Sequence, residues 1–597
     1  MKRISITLLT TILLLSIVGA RLQNNYALYS MLALICTYVG LVTFDRIKES
    51  HYPYATLVIG TALLFQTTLM SNGLVGTDIH SEYYYSLQAL NGWNISIPHS
   101  YNSCIGSVII APALQHWLGI DMVWTYKIIF PLAFACSVPL LYLIFKSQFG
   151  GKTAFLGVFL FMSLPVWMIE MIGVPRQMLA ELMLIACVYL ITVSNLRMRI
   201  PLVCVSTALG TMFHYVASPT ILAYLGTCTV FAVWFKNRRF PTKWLIISLV
   251  VTIIASGLWY GLTSSGVNLS SIIDVIRSSL RLGDGNTIDI IRHQAAEAGR
   301  EVAFTDSATP LIQTALGFDF IGASVAGKIF RVFQYSTQIL LAIGCIVVAR
   351  NWRKYTPEFM GLMLAGIILA AIAVFVPMSI TVIGTTRVYH TIMLFLSPAV
   401  ILGGLVIFRN HRWLAICILI PYFLINAGVL FEGMKCEDIT TADVPYSIAL
   451  SHKRVDVAAV FSDNDIDVRD WAVDNNCEPI FVDINGELLF SEKMSSSKWT
   501  HIQCKGIDIK AIASGFALIP YDTSSLPEKC YIFLRERNIQ TETVTFKPDW
   551  YKISGEKTGM RVSVTFEKVN LDETIKASTI AYRKGDAVLY EYNTAGN

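Results

Sequence analysis

The residues best suited to chemistry lie just after an apolar segment that ends near Met70. Asp78, His80 and Glu82 follow within a short polar stretch. On a helix, Asp78 and Glu82 are one turn apart and share a face. Two carboxylates and an imidazole beside a membrane could act as a general base, and Asp78 and Glu82 could bind Mg²⁺ or Mn²⁺. The same residues also suit a solvated helix start capped by Asp78. The spacing alone leaves both interpretations open.

A second group of charged residues surrounds a turn at the end of another apolar segment. Glu170, Arg176 and Glu181 lie at or inside the expected membrane boundary. An ionised side chain at the centre of a membrane helix costs about 2.5–3.5 kcal/mol, and less near its ends. Such residues usually face a cavity or a partner. The simpler alternative is a salt bridge between Arg176 and Glu181.

Single polar residues mark two further helix junctions. Arg387 stands alone at the start of an apolar segment, where a guanidinium suits the phosphate of a lipid. Ordinary snorkelling of Arg387 to headgroups is the alternative. His214 and Tyr215 are candidate supporting residues at another junction, where a packing histidine is also common.

The elements that must position these residues are membrane helices. The 597 residues are 54% hydrophobic and only 15% charged, with a mean hydropathy of +0.56. Soluble domains carry about 25% charged residues, so a soluble globular protein, a disordered protein and a disulfide scaffold are excluded. Residues 1–431 hold 27 Lys and Arg against 15 Asp and Glu, whereas residues 432–597 hold 19 against 26. The basic charge lies in loops beside a membrane and does not indicate nucleic-acid binding.

Lys and Arg in the loops predict the orientation of the chain. Fourteen apolar segments occur, at about 4–20, 26–44, 54–70, 103–119, 122–145, 152–169, 176–195, 200–214, 217–236, 243–263, 328–349, 359–377, 389–408 and 412–431. The basic loops share the cytoplasmic side only if the segment at 103–119, which contains Pro112 and His116, does not cross. We therefore expect about 13 transmembrane helices in a multi-pass cell-membrane protein. Its N-terminus is then cytoplasmic and its C-terminal domain extracytoplasmic.

This topology gives two domains. Residues 1–431 form the transmembrane domain, with outer loops at 71–121 and 264–327, and 269–280 is expected to be an amphipathic helix on the outer surface. Residues 432–597 are expected to form an α/β domain. Its predicted elements are a helix at 465–475 and strands at 479–483, 530–534, 541–546, 561–566 and 587–592.

Three motifs carry a resemblance to known proteins. They are GTDIHSEY at 76–83, the Tyr101-Asn102 pair followed by Pro112, and RQMLAE at 176–181. Over about residues 54–430 the chain resembles an uncharacterised family of large archaeal membrane proteins. That family in turn resembles the C-type glycosyltransferases, which have the GT-C fold and use polyprenyl-phosphate-linked sugars.

The resemblance implies roles for individual residues. Asp78 matches the catalytic Asp of the first outer loop, which acts as base on the acceptor or helps to bind a metal, with His80 and Glu82 in support. Arg387 and Arg176 match the arginines that hold the lipid phosphate. Glu170 falls near a second acidic position, but no DxD or DxE stands there, and the tail has no WWDxG-like motif. Both departures argue against a metal-dependent, oligosaccharyltransferase-like mechanism.

The sequence thus predicts a glycosyltransferase at the outer membrane face. Its partners would be a polyprenyl-phosphate-linked sugar, the membrane lipid and a glycan, lipid or protein acceptor, without nucleic acid. A transporter or lipid flippase is one alternative, although the acids concentrate on one side and no internal repeat is apparent. A non-catalytic cell-surface assembly protein, whose tail binds a partner, is another.

Overall fold

A computed structural model describes residues 2–235, 241–270, 273, 320, 323–375, 385–436, 444–456, 460–494, 499–501, 528–546, 562–567 and 571–593. The first part of the chain is helical. Its helices are α1 (Lys2–Arg21), α2 (Asn25–Thr43), α3 (Tyr52–Thr68), α4 (Asp78–Leu90), α5 (Ala111–Leu118), α6 (Met122–Phe149), α7 (Gly151–Met162), α8 (Pro165–Ile169), α9 (Pro175–Thr192), α10 (Arg199–Phe213), α11 (Ala217–Trp234), α12 (Thr242–Leu262), α13 (Val325–Arg350), α14 (Pro357–Phe375), α15 (Thr385–Phe408), α16 (His411–Asn426), α17 (Val429–Gly433) and α18 (Ile448–Ser451).

Eight of these helices have the length and composition of membrane spans. Among the described residues, eight helices are long and apolar enough to cross a membrane: α1, α2, α6, α9, α11, α12, α13 and α15. Three more apolar helices, α7, α10 and α16, are shorter, and so is the apolar stretch Pro357–Ala373 of α14. The expected fold class, an α-helical polytopic membrane protein with a C-terminal α/β domain, is confirmed. The count of about 13 crossings stays a prediction.

The expected non-crossing segment is short. A π-helical turn at Gly106–Ile110 continues into α5, and a left-handed Gly119 ends the helix. Thirteen helical residues rise about 20 Å, which is less than the ~30 Å of bilayer hydrocarbon. Two expected spans are interrupted, since α7 ends at Met162 before α8 begins, and α16 ends at Asn426 before α17. Most of the expected amphipathic helix at 269–280 lies outside the described residues.

The loops with basic residues meet at one end of the helices. Lys152 Nζ lies 2.6 Å from the Asp45 carboxylate, and Lys146 Nζ lies 2.6 Å from that of Glu49. The loop after α13 joins them, because the backbone N–H of Thr356 donates to the Gln148 side chain. Three of the loops that were expected to share the cytoplasmic side, at 45–53, 146–152 and 350–358, therefore lie together at one end of the helices.

Helix α15, which begins next to Arg387, packs closely against α13. A Cβ atom at Gly344 would lie 1.7 Å from the carbonyl oxygen of Ala399, and one at Gly403 would lie 1.9 Å from that of Leu340. Small residues allow membrane helices to approach at backbone distance. Helix α15, which contains Arg387 in its first turn, is therefore held against α13 by close backbone packing.

The C-terminal domain contains a mixed sheet. Its elements are α19 (Asp463–Asp474), β1 (Ile480–Val482), α20 (Ile484–Phe490), β2 (Trp499–His501), β3 (Lys529–Leu534), α21 (Glu536–Thr541), β4 (Thr543–Phe546), β5 (Val562–Thr565), α22 (Leu571–Lys576), β6 (Thr579–Lys584) and β7 (Ala587–Asn593). The strand order is β2-β1-β3-β7-β6, with β1 parallel to β2 and β3, and with β7 antiparallel to β3 and β6. Its own core begins at Phe461, whereas α18 packs into the membrane-domain core.

Candidate active site

The first-loop carboxylates lie on one face of α4. The turn before the helix is tight, because Gly76 has φ +135° and a Cβ there would lie 2.5 Å from the Cα of Gly173. This contact sets the start of α4 against the turn that leads into α9. Asp78 and Glu82 then face Arg176, which stands in the first turn of α9 after Pro175.

Arg176 is the centre of a buried ionic cluster. Its Nη2 donates to Asp78 Oδ2 at 2.7 Å, its Nη1 donates to Glu82 Oε1, and its backbone N–H donates to Glu82 Oε2 at 3.3 Å. Ser107 Oγ donates to the same Glu82 oxygen at 3.2 Å. The guanidinium also lies 4.3 Å from the centre of the Tyr101 ring, a cation–π contact. A fixed guanidinium fork thus binds two carboxyl groups at once.

A second arginine lies at the open side of this cluster. Arg387 Nη1 is 3.9 Å from Asp78 Oδ2, and its Nε is 3.8 Å from Glu170 Oε2. Both distances exceed a hydrogen bond. The side chains of Arg387, Asp78 and Glu170 are 23%, 29% and 31% exposed, in contrast to 3% for Arg176. Arg387 can therefore reach an incoming anion.

The carboxyl groups have different proton affinities. Burial opposes ionisation of Asp78, but the charge of Arg176 and its hydrogen bond outweigh burial and lower the pKa of Asp78. Burial raises the pKa of Glu82 to about 7 against the opposing effect of Arg176. Burial also raises the pKa of Glu170. Near neutral pH, the two arginines therefore face Asp78, which is ionised, and Glu82, which exchanges a proton in this range.

Polar residues continue from the cluster into a small cavity. Glu181 accepts a hydrogen bond from Gln177 at 2.9 Å and lies 3.2 Å from His390 Nε2. A cavity of about 30 Å³, with room for a water or two, is lined by Gln177, Glu181, His214 and Thr391. Gln177 Oε1 is buried without a partner among the described residues.

The junction after α10 contributes neutral groups. Burial, together with the charges of Arg176 and Arg387, lowers the pKa of His214 well below its usual range. The neutral imidazole lies 5.3 Å, ring centre to ring centre, from Tyr215. Burial raises the pKa of Tyr215. Both rings can therefore act as hydrogen-bonding groups but not as charges.

One candidate catalytic residue points away from the cluster. His80 is fully buried, and its Nδ1 lies 2.7 Å from Glu492 Oε1 of the C-terminal domain. The structure brings Asp78, Glu82, Glu170, Arg176 and Arg387 together but turns His80 toward the opposite side of α4. Glu181 is bound to Gln177 and His390, while Arg176 is bound to the first-loop carboxylates.

The donor set does not fit a divalent cation. In the described part of the chain, no three His, Cys, Asp or Glu side chains converge on a possible metal position. Asp78 and Glu82, the candidate ligands, already share the positive charge of Arg176. A metal ion there would have to displace or repel a buried guanidinium. We therefore derive no step through Mg²⁺ or Mn²⁺.

Comparison with known proteins identifies the family. The sequence profile of a family described as "Predicted membrane protein (DUF2206)" matches residues 199–590. The chain belongs to this family. Two structures similar to this DUF2206 member are crystal structures of ArnT from Cupriavidus metallidurans, one bound to undecaprenyl phosphate and one in the apo state. They are 10% and 11% identical, with TM-scores of 0.41 and 0.42, and the matches cover 91% and 92% of this chain and 97% and 98% of ArnT. No curated protein matches.

Several contributors to this DUF2206 site could not be singled out from the sequence. Ser107 lies in an apolar segment and His390 inside an apolar helix, where a small polar residue or a lone histidine is usually a packing residue. A signal did exist for Tyr101, which belongs to one of the motifs behind the resemblance. Its ring covers Arg176, and its side chain helps to lower the pKa of Asp78.

Proposed function

We propose that this protein is a GT-C-type membrane glycosyltransferase. It would transfer a sugar from a polyprenyl-phosphate carrier to a glycan, lipid or protein acceptor at the outer face of the cell membrane. One observation carries the proposal: a partly exposed, ionised Asp78 lies between a buried arginine and a partly exposed arginine, Arg387. A base beside a partly exposed cation is what transfer from a phosphate leaving group requires.

In the proposed reaction, Asp78 acts on the acceptor. Its carboxylate accepts the proton of an acceptor hydroxyl as the oxygen attacks the anomeric carbon of the sugar. The bond from that carbon to the phosphate oxygen breaks, and the polyprenyl phosphate leaves. Attack from the side opposite the phosphate inverts the anomeric configuration. Because Arg176 lowers the pKa of Asp78, the carboxylate is ionised before the acceptor arrives.

The arginines would hold the phosphate. Arg387 makes no contact with a carboxylate shorter than 3.8 Å among the described residues, so its N–H groups can turn to a phosphate oxygen. The planar guanidinium suits such oxygens. Arg176 is already committed to Asp78 and Glu82, and it would add charge to the pocket while holding Asp78 in place.

The small cavity beside the cluster has room for one hydroxyl group of the sugar. Glu181, Gln177 and neutral His214 offer hydrogen-bond donors and acceptors to that hydroxyl. The unpartnered oxygen of Gln177 would gain a donor from a sugar hydroxyl. A buried acceptor without a partner is costly, so this gain would favour a hydroxylated ligand.

The test is transfer by the purified protein from a panel of radiolabelled polyprenyl-phosphate sugars. Asp78→Asn is expected to abolish turnover and to preserve binding of the lipid-linked sugar. Arg387→Gln is expected to weaken both. Matched controls are Asp121→Asn and Arg21→Gln, which change outer residues that hydrogen-bond to Val123 and Asn72 instead. Both controls are expected to retain wild-type activity.

Two outcomes would contradict the proposal. Undiminished transfer by the Asp78→Asn variant would show that Asp78 is not the base. A failure to bind any lipid-linked sugar would favour the transporter or assembly alternatives. Equal access of a water-soluble cysteine reagent to positions 78 and 387 from both sides of the membrane would then identify a transport pathway.

A further inference from the structure

The C-terminal domain contacts the helix that carries the candidate base. His80 lies on α4 between Asp78 and Glu82 in sequence but on the opposite face. Its ring packs edge-on against Phe461, with 5.7 Å between ring centres. Its Nδ1 lies 2.7 Å from Glu492 Oε1, although the two residues are 412 positions apart. The contact therefore joins the two domains directly behind the site.

The partner of His80 is itself held in place. Glu492 follows α20 in the C-terminal domain, and its second oxygen accepts a hydrogen bond from Arg469 of α19. The side chains of His80, Glu492 and Arg469 are at most 6% exposed. Their contact is thus an anchored ionic chain inside the interface and not a mobile surface pair.

Both nitrogens of His80 are engaged. Nε2 lies 3.1 Å from the carbonyl oxygen of Gly76, which can only accept a hydrogen bond. The ring therefore links three parts of the molecule: the C-terminal domain, α4 and the tight turn at Gly76. That turn is the one that fits against Gly173.

We propose that Glu492 acts through His80 as a positioning residue for Asp78. This inference rests on the proposed function, since Asp78 is the base only in that reaction. By holding the imidazole from the C-terminal domain, Glu492 fixes the start of α4 and thereby the direction of the Asp78 carboxylate toward the acceptor. The C-terminal domain is then part of the active enzyme, because the base is correctly aligned only while the domain is docked.

The decisive variant is Glu492→Gln, compared with Asp463→Asn. Both remove one negative charge from the domain interface, but Asp463 binds Asn72, which lies before the tight turn. Glu492→Gln is expected to lower kcat by roughly tenfold to a hundredfold, since small displacements of a reacting group are costly. The KM for the lipid-linked sugar should stay unchanged, because Arg387 is not displaced. Asp463→Asn should leave both constants near wild type.

His80→Asn removes the same link from the membrane side. If the pair acts as a unit, His80→Asn and the double variant with Glu492→Gln should lose no more kcat than Glu492→Gln alone. Additive losses, or equal losses in Glu492→Gln and Asp463→Asn, would overturn the proposal. A rise in KM without a fall in kcat would also overturn it. If one single variant fails to fold, the other still tests the link.

Hydrogen exchange separates this inference from the proposed function. In the purified full-length protein, Glu492→Gln should speed exchange of the amides in the first turn of α4 by roughly tenfold or more, because a hydrogen bond to a charged group is lost. Asp463→Asn should not. If the wild-type protein transfers no sugar but this difference in exchange persists, the proposed function fails and the link between the domains stands. Unchanged exchange in Glu492→Gln would refute the link itself.

Discussion

Within the ionic cluster around Arg176, Glu82 has a pKa near neutral pH, so its charge changes there. Its pKa is raised to about 7, so lowering the pH from 8 to 6 protonates it, while Asp78 stays ionised. The positive charge of Arg176 is then offset by one neighbouring carboxylate instead of two, so Arg176 attracts a phosphate more strongly. We expect the KM for a polyprenyl-phosphate sugar to fall as the pH falls through about 7. Measuring KM from pH 6 to 8 checks this. A Glu82→Gln variant should lose that dependence, and a KM that rises toward pH 6 in the wild type would contradict the assignment.

The same ionisation should affect stability with a defined sign. Since the folded-state pKa of Glu82 lies above its usual value, its favourable contribution is present at low pH and is lost as the pH rises through about 7. The melting temperature of the wild type, relative to that of Glu82→Gln, should therefore be lower at pH 8 than at pH 6. A difference that does not change with pH would show that Glu82 keeps one charge state.

The two arginines should respond differently to substitution. Arg176 is buried between Asp78 and Glu82, so Arg176→Gln leaves two carboxyl groups without their cation, a loss of about 3–5 kcal/mol. Arg387→Gln removes a partly exposed group that is not within hydrogen-bond distance of Asp78 or Glu170. Thermal unfolding in detergent should show a large drop for Arg176→Gln and a small one for Arg387→Gln. Similar drops would mean that Arg387 is also a structural cation.

Residue types at the site could be predicted from the sequence, but their partners could not. The spacing of Asp78 and Glu82 places them on one face of a helix, and that face is what meets Arg176. The contact spans 94 positions from Glu82 and 98 from Asp78, and no local pattern encodes it. His80 illustrates the limit. Its position two residues from Asp78 suggests a shared site, yet that spacing places it on the opposite face of the helix.

At the scale of elements, strong local patterns located the helices and most strands. The expected helix at 465–475 is α19, and the strands expected at 530–534 and 587–592 are β3 and β7. The sequence did not reveal β6, which lies at the edge of the sheet and is mostly exposed, so its apolar alternation is weak. Nor did it reveal α20, whose seven residues directly follow a buried strand and begin with a side-chain cap at Asp483.

The turn before α4 gives a prediction about an element. Gly76→Ala would place a methyl group against the backbone of Gly173, so the start of α4 must shift. We expect a loss of about 1–3 kcal/mol, as in other overpacked sites, and a fall in transfer activity larger than the loss of stability alone explains. Gly92→Ala is the matched control, because Gly92 also has a positive φ but has open space around it. Melting temperatures and transfer rates of the two variants test this, and equal effects would attribute the loss to backbone strain alone.

At the scale of the whole molecule, the charge of the loops predicts the side of the membrane on which each loop lies. Contacts in the structure then show which loops lie together. The basic loops at 45–53 and 146–152 meet, as Lys152–Asp45 and Lys146–Glu49 show. The first expected outer loop meets the C-terminal domain through Asn72–Asp463 and His80–Glu492. The sequence predicts that an α/β domain follows the membrane helices. It could not predict that the domain docks behind α4, because the polar contacts of this interface join residues 391 and 412 positions apart.

This arrangement makes a prediction about orientation that single cysteines can test. Asn94 and Lys48 are exposed in opposite sets of loops, and Asn475 is exposed in the C-terminal domain. A membrane-impermeant maleimide should label Asn94→Cys and Asn475→Cys in intact cells, and Lys48→Cys only after the membrane is opened, with the wild-type chain as background. We expect this pattern because positively charged loops, such as the one that contains Lys48, lie in the cytoplasm. Because His80 binds Glu492, positions 94 and 475 must be labelled from the same side whichever way the protein is inserted. If both positions are labelled only after the membrane is opened, the protein has the reverse orientation and the domain is still docked. If they are labelled from opposite sides, the result contradicts the His80–Glu492 contact, on which the positioning of Asp78 depends.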